Sequence, residues 1–252
     1  EAIDDVLLDA ADGLLQSTRY IQFDRFEPEE RPAALAIPHR QFEIVEAIAL
    51  LDATGKQLTA PVHDPVPGGA FDLEAFGAHV PLAAALGAGR AFGPVYFVGP
   101  ERAPRIGLAI TFPVNGGQDR WVLAAQLNLD QVQAKVRKAA RANHGLALVV
   151  AAGVQVVLHP EGDMRGKSLA QRPLIARGLA ARKAVTGSYR GPGDEAMAAT
   201  FVPVTTLGGG LVVAEPESLA FASADRIRTA TFFWMGVCLL LAMFGGVLFA
   251  RG

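Results

Sequence analysis

The sequence has few of the residues that build thiol-based and nucleic-acid-binding sites. Its 252 residues include one cysteine, Cys238, which excludes a disulfide within the chain and a metal site made of several thiolates. Lysine and arginine number 23 against 25 aspartate and glutamate residues, and the formal charge of −2 gives no basic field to attract nucleic acid. The basic run KVRKAARANH lacks interleaved aromatics and indicates a solvated helix face.

Motifs of a catalytic centre, a metal site or a nucleotide site are also missing. Gly-x-Ser-x-Gly and His-Glu-x-x-His are absent, and the five histidines stand at no metal-ligand spacing. In HPEGDMRGKSL, Gly162 and Gly166 are separated by three residues, one fewer than a phosphate-binding loop needs. This stretch predicts a turn between a strand and a helix. We therefore expect no catalytic residue, no cofactor and no metal within these residues.

One long hydrophobic run closes the chain. No charged side chain stands between Thr229 and Ala250, and a helix of that length covers the roughly 30 Å of a bilayer core. Arginines flank both ends, and the aromatic residues of TFFW lie where an interfacial belt is expected. The sequence predicts an exit helix from residue 217 that continues into a transmembrane span over about 229–250. Because both flanks are basic, charge does not fix its orientation.

The first 26 residues predict one long amphipathic helix. Apolar residues in EAIDDVLLDAADGLLQSTRY recur at helical spacing, and the opposite face is acidic. EPEERP then breaks the helix. This acidic helix is a candidate seam of a homodimer, and its face could equally cover the distal sheet.

The rest of the chain runs twice through the same order of elements. Each half contains two strand-like runs, a helix and three further strands. In the first half, FEIVEAIALL opens the series, residues 72–88 predict one helix, and GPVYFVG, RIGLAITFPV and RWVLAAQLNL close it. No residue-level repeat accompanies this repeat of architecture. The pattern predicts an α+β fold with two antiparallel-sheet modules, over 27–140 and 141–216.

This arrangement resembles the double Cache domain, a tandem PAS-like extracytoplasmic sensor of bacterial transmembrane receptors. GPVYFVGPERAPRIGLAITFPVNGGQDRWVLAAQLNLDQV is similar to the last strands of its membrane-distal module. GVQVVLHPEGDMRGKSL and TFVPVTTLGGGLVVAEP are similar to its membrane-proximal module. The resemblance implies a homodimeric sensor in the inner membrane, whose folded domain is periplasmic or extracellular. It also implies a cytoplasmic output module outside these residues.

The candidate ligand-binding residues lie on or beside the last three strands of the distal module. A small polar ligand in a PAS-like pocket needs a few charged or hydroxyl groups among apolar walls. The candidates chosen on this basis are Arg90, Tyr96, Thr111 and Trp121, and the resemblance adds Phe92 and Gln126. We expect Arg90 to pair with a carboxylate, Tyr96 to donate a hydrogen bond and Trp121 to form a stacking wall.

One departure from the resemblance bears on the ligand. Amino-acid-binding double Cache domains often hold the ligand's ammonium with an aspartate on the last distal strand, where AAQLNLDQV places Gln126, with Asp130 beyond it. An amine is therefore not favoured, and a carboxylate, an uncharged ligand or no ligand stays open. The alternative function is a membrane-anchored, non-sensing interaction module that recruits a protein partner. A wholly apolar pocket would favour that alternative, and convergence of Arg90 and Tyr96 would oppose it.

Overall fold

The computed structural model describes residues 2–65, 71–142, 145–153, 155–159, 164–169, 171–191, 195–220 and 235. The predicted transmembrane span over 229–250 lies outside these residues except at Met235. Within the described ranges, no helix combines the length and the apolar character needed to cross a bilayer.

The N-terminal segment forms a long helix that covers a sheet. Helix α1 spans Ala2–Ile21 and is followed by a 3-10 turn over Phe23–Arg25 and by helix α2 over Arg31–Gln41. The predicted helix over residues 1–26 therefore ends five residues early, where Gln22 takes a left-handed backbone with φ 49°. The apolar side of α1 is buried in the main core, and its exposed side carries Asp5, Asp9 and Asp12.

The first sheet is antiparallel throughout, with the strand order β2-β1-β5-β4-β3. Its strands are β1 (Val45–Asp52), β2 (Val62–His63), β3 (Arg90–Val98), β4 (Ala103–Val114) and β5 (Asp119–Asn128). Helices α3 (Leu73–Ala78) and α4 (Leu82–Ala88) connect β2 to β3. The single helix predicted over 72–88 is thus two, because Pro81 lacks an N–H and disfavours a helical backbone at Val80.

The second sheet repeats this topology, with the order β7-β6-β10-β9-β8. Helix α5 (Asp130–Ala142) leads to β6 (Leu146–Val150), β7 (Val156–Leu158), α6 (Pro173–Ala181), β8 (Val185–Arg190), β9 (Ala196–Val204), β10 (Gly209–Pro216) and α7 (Glu217–Ala220). We call β1–β5 with α3 and α4 the distal module, and β6–β10 with α6 the proximal module. The predicted α+β class with two antiparallel sheets is confirmed, and the domain limits stay a prediction.

The two faces of the distal sheet differ in side-chain size. On the α1 face, large side chains such as Ile48, Leu108 and Leu123 join the main core, which extends into the proximal module. On the opposite face, small residues including Ala109 and Ala124 pack against α3 and α4. We call this second side the α3–α4 face. The small residues leave room for the covering segment to approach the strands closely.

The turn between α3 and α4 rests directly on this face. A Cβ atom on Gly107 of β4 would lie 2.2 Å from the His79 carbonyl oxygen, and one on Gly93 of β3 would lie 2.7 Å from it. Only a residue without a side chain fits at such an approach. The contact holds the covering segment against β3 and β4, at one side of the sheet.

The corresponding interior of the proximal module is filled by an aromatic ring. Phe201 is fully buried between α6 and the sheet. A Cβ atom on Gly178 of α6 or on Gly210 of β10 would lie 2.2 Å from its ring. The two modules therefore share a topology but differ in what lies between sheet and cover.

Candidate ligand site

A bulge in β1 brings Glu46 onto the α3–α4 face. Val45 pairs with Leu127 and Ala47 pairs with Gln126, so the register shifts by one residue between Val45 and Ala47. In a bulge of this kind, two residues of one strand oppose one residue of its partner. Glu46 and Ala47 therefore both lie opposite Gln126.

Strand register brings three further polar side chains to the same place. Tyr96 of β3 pairs with Arg105 of β4, and Arg105 pairs with Asn128 of β5. Residues directly opposite one another in an antiparallel pair project from the same face. We call Glu46, Tyr96, Arg105, Gln126 and Asn128 the polar cluster.

Arg105 is the centre of the polar cluster. Its guanidinium bonds Glu46 through two nitrogens, with Nη2 2.7 Å from Oε1 and Nε bonded to Oε2. Its Nη1 also donates to Asn128 Oδ1 at 3.0 Å and to Asp130 Oδ2 at 3.2 Å. The side chain is 9% exposed. Burial opposes the charge, but the bonds and charges of Glu46 and Asp130 outweigh it and raise the pKa of Arg105. The result is a two-point ion pair between a buried guanidinium and a half-buried carboxylate.

Tyr96 and Gln126 extend the network to the neighbouring strands. Tyr96 Oη donates to Gln126 Oε1 at 2.5 Å, and Gln126 Nε2 donates to Glu46 Oε2 at 2.7 Å. Burial, followed by the charge of Glu46, raises the pKa of Tyr96 well above its ordinary value, so the phenol is a hydrogen-bond donor at neutral pH. Because the Glu46 carboxylate can only accept, this order of donors fixes the orientation of the Gln126 amide.

An imidazole ring closes the cluster from the side of the covering segment. The ring of His79 stacks on Tyr96 with centroids 3.8 Å apart and planes 14° apart. Its Nδ1 lies 2.7 Å from the Ala75 carbonyl oxygen, which requires a proton on Nδ1. The polar cluster thus spans four strands, β1, β3, β4 and β5, and is bordered by the residue that follows α3.

The structure brings together two of the six residues predicted from the sequence, Tyr96 and Gln126. Thr111 lies on the same face but six residues along β4 from Arg105, about 20 Å away at strand spacing. Within the described part of the chain, its buried hydroxyl has no hydrogen-bond partner. It therefore belongs to another part of that face.

The other three predicted residues belong to the α1 face. Arg90 bonds Asp12 of α1, and Phe92 packs against the main core. The Trp121 ring also packs there, with the Arg31 guanidinium 4.8 Å from its centroid. The geometry therefore does not bring Arg90 to Tyr96.

Sequence reasoning missed the two charged residues of the cluster. Glu46 stands alone among apolar residues in IVEAIALL, and Arg105 immediately precedes the apolar run IGLAI. An isolated charge beside a buried strand is a signal, because a buried charge requires a partner. The identity of that partner depends on the register, which the sequence does not reveal.

The polar cluster is suited to recognition by charge and hydrogen bonding. It offers one guanidinium, one carboxylate, one phenol and two amides. Among the residues that the structure describes, no group of three or more His, Cys, Asp or Glu side chains could hold a metal ion.

Solved structures that match this fold include ligand-binding domains of chemoreceptors and the extracellular domain of a proposed histidine kinase. The ligand-binding domain of the amino acid chemoreceptor PctC of Pseudomonas aeruginosa PAO1, in complex with GABA, is 18% identical, with a TM-score of 0.57 over 84% of this chain and 92% of its own. The domain of PctB from the same organism, with L-Gln, is 19% identical, with a TM-score of 0.56 over 90% and 94%. The extracellular domain of the proposed histidine kinase rpHK1S-Z16 is 13% identical, with a TM-score of 0.62 over 87% and 91%.

This chain has the fold of those domains. The similarity to the double Cache domain is thereby confirmed at the level of the fold. No protein-family model and no curated protein sequence matches the chain.

Proposed function

We propose that the chain is the extracytoplasmic small-molecule sensor region of a transmembrane receptor, with the polar cluster as its ligand site. One observation carries the proposal. The Arg105 guanidinium is buried on the α3–α4 face of the distal module, where it forms a two-point ion pair with the half-buried Glu46 carboxylate. Buried charged groups are costly to keep and are common at functional sites.

The charges of the cluster favour a small zwitterion as the ligand. A ligand whose carboxylate replaces Glu46 on the Arg105 guanidinium leaves the half-buried Glu46 carboxylate without its cationic partner, which is unfavourable. A ligand that also carries an ammonium group pairs with Glu46 and leaves neither charge of the cluster alone. An amine ligand, which Gln126 in place of an aspartate did not favour, is therefore favoured again because Glu46 can pair with its ammonium group. The compounds named for PctC and PctB, GABA and L-Gln, contain both groups.

The remaining parts of the proposal concern the placement of the chain. We propose that the described modules are periplasmic or extracellular and that residues 229–250 anchor them in the inner membrane. Ligand binding would shift a two-state equilibrium and move the exit helix toward a cytoplasmic output module. A homodimer is part of this proposal, and sedimentation of the purified chain tests it. The apolar side of α1 is buried within the chain and is not available as the dimer seam.

The proposed function is tested by thermal unfolding of the full 252-residue chain in detergent. The panel contains the twenty L-amino acids, GABA, simple dicarboxylates and uncharged amides. A compound that binds the folded state raises the melting temperature in a saturable way. We expect zwitterions to raise it and simple dicarboxylates to have little effect.

Three arginine variants test the location of the site. Arg105→Gln should abolish the response to the stabilising compound. Arg90→Gln tests the arginine chosen from the sequence, and a full response in this variant would place recognition on the α3–α4 face. Arg120→Gln changes an exposed arginine of β5 that donates to the Leu86 carbonyl, and it serves as the matched control.

A second candidate function has one specific observation in its favour. Glu46 and Arg105 satisfy each other without a ligand, and Arg90 does not converge with Tyr96. A membrane-anchored interaction module needs no bound small molecule, and this self-satisfied pair is compatible with it. If no compound shifts the melting temperature of a well-folded sample, the interaction module becomes the better account.

A further inference from the structure

One carboxylate is shared by arginines of the two modules. Asp130, the first residue of α5, accepts from Arg105 Nη1 through Oδ2 at 3.2 Å and from Arg165 Nη2 through Oδ1 at 2.8 Å. Arg105 belongs to β4 of the distal module, whereas Arg165 lies between β7 and α6 of the proximal module. The chain of charges Glu46–Arg105–Asp130–Arg165 alternates in sign and crosses the module boundary.

The proximal end of this chain of charges is firmly held. Arg165 Nη2 also bonds Gln133 Oε1, one turn along α5, and Gln133 Nε2 donates to the His159 carbonyl at 2.9 Å. The Arg165 side chain is 14% exposed. A change in the contacts of Asp130 therefore affects the segment that contains Arg165.

The distal end is held by competing partners. Arg105 distributes its donors between Glu46 and Asp130, and Asp130 distributes its oxygens between Arg105 and Arg165. A ligand that draws the Arg105 guanidinium toward itself weakens the Arg105–Asp130 bond. Asp130 is then available to Arg165 alone, and that bond becomes stronger.

We propose that Asp130 couples the ligand site to the proximal module. When Arg105 changes its bond to Asp130, the bond between Asp130 and Arg165 changes in response. This inference rests on the proposed function, because it takes Arg105 as a ligand-binding group. Arg165 acts as a positioning residue through Asp130. By thermodynamic reciprocity, a change at Arg165 alters ligand affinity as much as a ligand alters the Arg165 contact.

The first test needs no ligand and measures hydrogen exchange at the backbone amides of Gly166 and Lys167. These amides donate to Val156 and Met164 and report the order of the Arg165 segment. Arg105→Gln frees Asp130 for Arg165 and should slow their exchange about threefold. A substitution that only loosens the fold would speed the exchange. In an Asp130→Asn background, Arg105→Gln should cause no slowing, and Arg120→Gln should change nothing in either background.

The second test measures the effect in the opposite direction. In the full chain, Arg165→Gln leaves Asp130 to Arg105 alone and should weaken binding of GABA or L-Gln, whichever raises the melting temperature, about fivefold. With Asp130→Asn present, Arg165→Gln should have no further effect. Arg172→Gln, at a proximal arginine that lies over the Tyr189 ring, is the control. If Arg105→Gln fails to fold, this measurement decides the question.

The possible results separate the two proposals. If Arg105→Gln abolishes binding but Arg165→Gln does not change affinity, the ligand site stands and the coupling is refuted. If no compound of the panel raises the melting temperature but exchange slows only when Asp130 is present, the coupling of Asp130 to Arg165 stands and the ligand assignment falls. Exchange that is unchanged, or that speeds up equally in both backgrounds, overturns the coupling.

Discussion

At the scale of single residues, Gly107 is the position where the approach of the cover to the sheet can be tested. Its Cβ would lie 2.2 Å from the His79 carbonyl oxygen, whereas a Cβ on Gly87 of α4 meets nothing within 4 Å. Gly107→Ala should lower the free energy of unfolding by about 1–3 kcal/mol. Gly87→Ala should raise it by up to about 1 kcal/mol, since alanine favours a helix. Urea unfolding measures both, and equal effects would contradict this description of the contact.

The hydroxyl of Tyr96 provides a second test of the polar cluster. Tyr96→Phe leaves the buried Gln126 Oε1 without its donor and should cost about 1–2 kcal/mol of unfolding free energy. Tyr20→Phe removes the hydroxyl of a residue that is 83% exposed and should cost almost nothing. Chemical unfolding of the two variants measures the difference. A Tyr96→Phe variant as stable as Tyr20→Phe would show that the hydrogen bond contributes little.

Register shifts at single residues explain why only some of the candidate residues lie in the polar cluster. Strict alternation along β3 would place Arg90, Phe92 and Tyr96 on one face. The register shifts between Phe92 and Val95, so Tyr96 projects from the opposite face to Arg90. The shift at Glu46 has the same effect in β1. Bulges depend on strand pairing, and alternation in one strand contains no information about its partner.

At the scale of elements, Asp4 ties α1 to the turn between β9 and β10. Its carboxylate accepts from the amides of Thr205 and Thr206 at 3.1 and 2.9 Å, and from the Thr206 hydroxyl at 2.6 Å. Burial raises the pKa of Asp4, but the bonds from Thr206 and then Thr205 outweigh burial and lower it below its ordinary 3.8. The start of α1 is therefore held by the proximal module.

This contact predicts a specific dependence of stability on pH. Because the pKa of Asp4 is lowered by folding, its contribution is complete above the unfolded value and is lost as pH falls through the folded value. Asp4→Asn should cost about 1 kcal/mol at pH 7, since the carboxylate is partly exposed to solvent. That cost should disappear in acid. Unfolding at a series of pH values measures it, with the exposed Asp5→Asn as control, and a cost independent of pH would contradict the contact.

Elements were more predictable than their contacts. The periodicity of α1 predicts a helix with one buried side, and the strand-like runs predict strands, because each pattern reflects burial on one face. The break at Pro81 divides the helix predicted over 72–88 into α3 and α4. The sequence contains the cause of this break, whereas the contact of Asp4 with Thr206, about two hundred residues away, could not be found from local patterns.

At the scale of the whole molecule, two modules of one topology differ in their interiors. Phe201 fills the proximal interior, whereas the distal interior holds the Arg105–Glu46 pair and its hydrogen-bonded neighbours. The repeat of architecture was predictable, since both halves of the sequence contain the same order of elements. The difference between the interiors was not, because it depends on which side chains the register brings together. We therefore propose that ligand recognition belongs to the distal module.

The most direct measurement of that assignment is a structure of the full chain determined in the presence of GABA and the twenty L-amino acids at saturating concentration. The account predicts one compound between the α3–α4 face and its cover, with its carboxylate on Arg105 and its ammonium on Glu46. The direct bond between these two residues would then be broken. A compound bound beside Arg90, a compound in the proximal module, or an intact Arg105–Glu46 pair with nothing bound would contradict it.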